Sequence, residues 1–177
     1  PLQEMTLDGY DMVFNNELVL SGFANTFFVL VVGLIFNMVL TVIGAYVLSL
    51  KDLMLRRPLT MFIIVTMNFS GGLIPTFMVV NSLKLTNTIW ALILPGAVPL
   101  GNVILLMNAF RGVPKSLEEA AMIDGGSQWV ILLKVFLPVV KPTLAAVTLF
   151  TIVGHWNDYF SALVYITDTA NYPLQTY

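Results

Sequence analysis

The chain has 177 residues, of which 58% are hydrophobic and only 10% charged, and its mean hydropathy is +0.87. A soluble domain carries about 25% charged residues, so this little charge cannot cover a water-soluble globule. An ordinary cytosolic enzyme, a disordered segment and a nucleic-acid binder are thereby excluded, and the composition points to a membrane protein.

The charge-free stretches come in order along the chain. Residues 18–50, 58–83 and 85–110 contain no Asp, Glu, Lys or Arg. About 20 helical residues, rising about 1.5 Å each, cross a hydrocarbon core of about 30 Å. Backbone amides cannot go unpaired in lipid, so each stretch is predicted to be a helix. The predicted spans are 22–48, 59–81, 87–110 and 142–166, the last with His155, Asn157 and Asp158 in its second half. Pro75, beside Ser70, Gly71 and Gly72, predicts a kink or unwinding within the second span. That break is read either as a hinge or path-lining segment, or as close helix packing through small residues. Pro95 and Pro99 raise the same choice in the third span.

The basic residues set the orientation. Lys51, Arg56 and Arg57 follow the first span, and Arg111, Lys115, Lys134 and Lys141 follow the third. These seven of the eight basic residues share one face, which is therefore cytoplasmic. The first 17 residues carry Glu4, Asp8, Asp11 and Glu17 and no Lys or Arg, which suits the outer side. Because the chain opens at Pro1 with no export signal, at least one upstream helix is expected.

Residues 111–141 are too long for a simple turn. Ser116 and Glu119 have capping-box spacing, with the Ser116 hydroxyl expected on the Glu119 amide. Gly125 and Gly126 supply a stop, so a short cytoplasmic helix is predicted over 117–124. Leu117, Ala120, Ala121 and Asp124 would share one face, a small surface open to a partner protein. The competing reading is an amphipathic helix on the membrane surface, which Trp129 and Lys134 suit.

Glu119-Ala120-Ala121, three residues, Gly125, nine residues, then Val135-Phe136-Leu137-Pro138 resembles the E-A-A-x3-G-x9-I-x-L-P loop of binding-protein-dependent ATP-binding-cassette importer permeases. The departure is Val135 for Ile. FSGGLIP at 69–75, WALILPG at 90–96, HWND at 155–158 and YPLQ at 172–175 resemble the carbohydrate-uptake subfamily. They look most like the second permease subunit of maltose-type systems, in the branch handling complex oligosaccharides.

The resemblance implies an all-α integral membrane fold: four transmembrane helices of a six-helix permease, plus a cytoplasmic coupling helix. It implies docking of that helix on a dimeric ATPase, with Glu119, Ala120, Ala121, Gly125, Leu137 and Pro138 as coupling residues. Gly125 would make the bend between two short helices. It implies further a homologous second permease subunit, an external solute-binding protein and residence in a bacterial cytoplasmic membrane.

For Trp156, Asn157 and Asp158 two readings stand: contacts to a sugar, or residues at the outer interface. Asn37, Asn68, Asn102 and Asn108 are expected to make interhelical hydrogen bonds. No phosphate loop and no nucleophile–base set is present, so ATP would be bound and hydrolysed by a partner chain. No cofactor or metal is expected, since Cys is absent and His occurs once. The expected function is ATP-driven import of a sugar or oligosaccharide by alternating access. A non-sugar permease, a secondary transporter or channel segment, and a membrane scaffold are the alternatives.

Overall fold

The computed structural model describes residues 17–176; the acidic segment expected on the outer side lies outside the described residues, up to Asn16. The described residues form helices and no strands. They are α1 (Glu17–Ser49), α2 (Arg56–Asn68), α3 (Leu73–Ser82), α4 (Trp90–Ile93), α5 (Leu100–Arg111), α6 (Lys115–Ile123), α7 (Gln128–Val139), α8 (Lys141–Asn157) and α9 (Phe160–Tyr165). Short 3-10 turns follow at Thr169–Asn171 and Leu174–Thr176.

α1 is longer than the predicted span. Its 33 residues rise about 50 Å. It is apolar on every side, as expected of a helix that meets lipid. Phe27 is 70% exposed and Ile35 58%. Among the described residues, α1 is the one continuous helix long and apolar enough to cross a membrane.

The other three predicted spans are interrupted. The second is broken at 69–72, as Pro75 and the glycines foretold. Gly72 sits at φ +86°, a conformation that suits glycine, and its amide donates to Ser70 Oγ at 3.2 Å. Pro75 falls in the first turn of α3, where a missing N–H leaves no bond unmade.

The third predicted span, 87–110, is interrupted where Pro95 and Pro99 raised that choice: α4 ends at Ile93 and α5 begins at Leu100. Pro95 cannot donate to the carbonyl one turn back. Pro99 instead stands just ahead of α5, at φ −71° and ψ 98°, and its carbonyl accepts from Asn102 and Val103.

The fourth predicted span is interrupted too. α8 ends at Asn157, and α9 starts only at Phe160. Asp158 Oδ1 accepts from the Ser161 amide at 3.1 Å, which offers the backbone an alternative to continuing the helix.

The described chain divides into two compact units, each with its own core. One contains residues 17–33, 73–95 and 154–176; the other contains residues 34–72 and 96–153. In the first, Val29, Leu92, Ile93, Ala162 and Ile166 pack together. Asn87, at φ +61°, ties this unit by three bonds: its N–H donates to Tyr165 O at 2.7 Å, and its Oδ1 accepts from the amides of Thr167 and Asp168. Asn25 Nδ2 donates to Ala170 O at 2.8 Å, and Thr26 Oγ1 accepts from Leu174 N at 2.8 Å, strapping the C-terminal segment onto α1.

The second unit is built on Tyr46, Val103, Leu106, Phe110, Ile131, Leu132 and Phe136. Asn102 Nδ2 reaches Thr151 Oγ1 at 3.3 Å, an interhelical bond of the kind expected. Asn37 is 2% exposed on α1. Asn68 differs, because its Nδ2 donates to Ile64 O of its own helix at 2.7 Å. Asn108 is exposed.

Candidate coupling site

The 111–141 segment folds into two short helices on the core of the second unit. Its entry is fixed by Arg111. The Arg111 Nη2 donates to Leu48 O at 3.3 Å, placing a cation at the C-terminal end of α1 where the helix dipole favours it.

α6 starts two residues earlier than predicted. Pro114, at φ −58° and ψ 131°, is the N-cap, and no side chain caps the helix. The expected Ser116–Glu119 capping box is therefore not formed. The fixed φ of Pro114 starts the helix directly after it, so Ser116 lies inside the first turn. Leu117 N donates to Pro114 O at 3.1 Å, which satisfies one end amide without a side chain.

The stop is as expected from two glycines. Gly125 sits at φ +78°. Its amide donates to Met122 O at 3.0 Å, and the Gly126 amide donates to Ala121 O at 2.9 Å. This crossed pair of bonds is a Schellman motif. A Cβ on Gly126 would lie 2.8 Å from Ala121 O, so the second glycine is required for space as the first is for conformation.

α7 then begins at Ser127, whose hydroxyl accepts from Val130 N at 3.5 Å. Leu132–Phe136 forms a π turn, closed by Leu137 N donating to Leu132 O. Pro138 follows at once and has no amide to restore α spacing. Such wide turns are rare and concentrate at functional sites. The chain bends by 86° between α7 and α8.

Three rings fasten this segment to the unit. Tyr46 of α1 meets Phe136 of α7 edge-on, with centroids 5.2 Å apart at 81°. Phe110 of α5 meets Tyr46 at 6.0 Å and Phe136 at 5.7 Å. Edge-to-face pairs of this kind add about 0.5–1.5 kcal/mol each beyond burial. Tyr46 Oη donates to Gln128 Oε1 at 2.7 Å, so the same residue holds both ends of α7's first two turns.

Of the predicted coupling residues, Ala121 turns to this core and Leu137 packs beside it, while Glu119, Ala120, Gly125 and Pro138 are exposed. The predicted common face is thus divided: Leu117, Ala120 and Asp124 look outward, and Ala121 looks inward. Outward with them are Met122, Trp129 and Ile123, the last 86% exposed. Glu118 and Glu119 border a cavity of about 450 Å³ with Lys51, Asp52, Arg111 and Lys115. Tyr46, Phe110, Gln128 and Phe136 were not singled out by sequence. Their nearest signal was Phe136 lying inside the Val135–Pro138 match.

The substrate-path candidates are placed differently. Ser70, Gly71 and Gly72 are exposed in the break before α3, and Pro75 is exposed in its first turn. Trp156 and Asn157 are exposed at the end of α8, and Asp158 is half-buried and bonded to Ser161.

Residues 38–176 match the family model described as binding-protein-dependent transport system inner membrane component. The chain belongs to that family. It is 43% identical over 170 residues to the polygalacturonan/rhamnogalacturonan transport system permease protein YtcP of Bacillus subtilis (strain 168), covering 96% of this chain and 59% of that protein. It is 30% identical over 163 residues to the arabinooligosaccharides transport system permease protein AraQ of Halalkalibacterium halodurans, covering 90% of this chain and 58% of that protein. A crystal structure of a bacterial ABC transporter involved in the import of the acidic polysaccharide alginate aligns at TM-score 0.96 and 35% identity, over 99% of this chain and 62% of that one. The 177 residues therefore span about three fifths of the length of these relatives. The family is one of membrane transport components, in agreement with the expected fold class.

Proposed function

We propose that the chain is the central part of a permease subunit of an ATP-driven importer, moving an oligosaccharide across a bacterial cytoplasmic membrane. The observation that carries this reading is α6. It is a short helix whose outer face bears Leu117, Ala120 and an almost fully exposed Ile123, while its inner face is fixed to the unit's core. A nine-residue helix is marginal alone. Its apolar outer face fits a groove on a separate ATPase, which would supply the ATP site this chain lacks.

Glu119, Ala120 and Ala121 then form the docking helix. Gly125 makes the bend, and Leu137-Pro138 ends the supporting helix. ATP binding by the ATPase shifts the permease between two states only as far as it contacts them differently, and the packing of Ala121 of α6 against the unit's core lets such a difference be felt. The exposed apolar sides of α1, α2 and α3 suit lipid and a homologous second permease. An external binding protein would deliver the sugar. The relatives named for polygalacturonan, arabinooligosaccharides and alginate support a carbohydrate, with Ser70–Pro75 and Trp156–Asp158 as path candidates.

The test uses the absence of native Cys in this sequence. In the full permease, with any other cysteines replaced, Ile123→Cys should crosslink to the ATPase subunit in membranes. An assembled complex with no crosslink from position 123, and full uptake by a Glu119→Ala plus Ile123→Asp variant, would refute docking by α6. Uptake of a galacturonate oligosaccharide, compared with an amino acid, tests the substrate class.

A further inference from the structure

A second cavity lies beside the first, on the loop between α1 and α2. It has a volume of about 880 Å³ and is lined by Lys51, Arg56, Arg57 and Arg111, with Met61 and Ile64 on its apolar side. No carboxylate lines it; Asp52 borders the neighbouring cavity instead. Four cations lining one cavity repel one another, and the partial burial of Arg56 and Arg111 strengthens the repulsion between those two.

Two further observations add to that charge. Arg56 and Arg57 are the first residues of α2, at the positive end of the helix dipole, where an acidic residue would ordinarily be favoured. The first turn of α2 contains none, and its N-cap, Leu55, offers no side-chain bond. Arg111 Nε is buried without a hydrogen-bond partner. These groups together are complementary to an anion.

We propose that this cavity binds a phosphate group, carried by an anionic phospholipid of the inner leaflet. Lys51, Arg56, Arg57 and Arg111 would face the headgroup, and Met61 and Ile64 the start of the acyl chains. The apolar side decides for a lipid over free phosphate. The site rests on the cytoplasmic placement of this loop and is independent of the substrate. It adjoins Arg111, the residue that fixes the entry to α6, so lipid composition would bear on the coupling segment.

The test is native mass spectrometry of the full-length permease complex, extracted from bilayers of phosphatidylcholine with or without phosphatidylglycerol. Each basic side chain near an anionic surface contributes about a fivefold gain in affinity. Arg56→Gln with Arg57→Gln should lower retention of phosphatidylglycerol about 25-fold, whereas Arg57→Lys and the same-face control Lys141→Gln should keep it. Size-exclusion profiles establish that each variant is assembled. Inorganic phosphate binding alone, with the same dependence on Arg56 and Arg57, would keep the anion site and make free phosphate its source. Undiminished retention in the double variant, or an equal loss in Lys141→Gln, overturns the proposal. So does a photo-crosslinker at position 57 that captures the ATPase in place of lipid.

Discussion

The Tyr46 hydroxyl donates to Gln128 Oε1 at 2.7 Å, and its ring lies edge-on to Phe136. One α1 residue thus holds α7, the helix after α6, by a polar and an aromatic contact. Removing the hydroxyl leaves Gln128 without its bond, at a cost of about 1 kcal/mol. Tyr46→Phe should assemble normally and lower the melting midpoint by a few degrees. Transport per ATP hydrolysed should fall, because α7 is held less firmly. The ratio of uptake to ATPase activity in proteoliposomes measures this, and an unchanged ratio would remove Tyr46 from coupling.

Phe136 is 5% exposed and touches both other rings. Truncating such a core side chain costs about 3–5 kcal/mol. Phe136→Ala should therefore reduce the amount of folded permease in the membrane, and Phe136→Leu should restore most of it. Fluorescence-detected gel filtration of heated samples reads the difference.

Gly125 occupies the left-handed region at φ +78°. An alanine there costs about 1–2 kcal/mol, whereas asparagine tolerates the conformation better. Gly125→Ala should insert normally and lose transport, and Gly125→Asn should lose less. Equal uptake by all three proteins would mean that the turn's geometry is not used.

A Cβ on Gly33 would meet His155 Nε2 at 2.8 Å. Overpacking of this kind costs about 1–3 kcal/mol. Gly33→Ala should destabilise the protein, and His155→Ala in the same chain should recover most of the loss. Additive effects in that double-mutant cycle would show that the two sites do not meet.

Asp158 Oδ1 accepts from the Ser161 amide in the first turn of α9, and an asparagine Oδ1 accepts that bond as well. Asp158→Asn should leave both stability and uptake near normal, whereas Asp158→Ala should lower the melting midpoint. A stable Asp158→Asn protein that has lost uptake would instead assign the charge to the transport path.

How much of this was legible differs from residue to residue. Pro75 and Gly72 foretold the break between α2 and α3, because a missing amide and a positive φ are local properties. Gly125 and Gly126 foretold the end of α6 for the same reason. The capping box at Ser116 and Glu119 was a local pattern overruled by a stronger local constraint, the fixed φ of Pro114. The breaks in the spans 87–110 and 142–166 were legible only in part: Pro95 and Pro99 raised a kink, but local pattern does not show that Pro99 stands ahead of α5 or that Asp158 bonds the Ser161 amide.

The sequence by itself determined the membrane character, the basic loops and the spacing of the motif over 119–138, since each depends on composition or on neighbours along the chain. Only the tertiary structure decided that Tyr46, Phe110 and Phe136 meet, that Ala121 faces inward while Ala120 faces out, and that Lys51, Arg56, Arg57 and Arg111 share one cavity. Apart from the neighbours Arg56 and Arg57, Ala120 and Ala121, and Phe110 and Arg111, those residues lie on different elements: α1, the loop after it, α2, α5, α6 and α7. Which side chains meet there is set by how the helices pack, and the spacing of charges and glycines along one chain does not encode it.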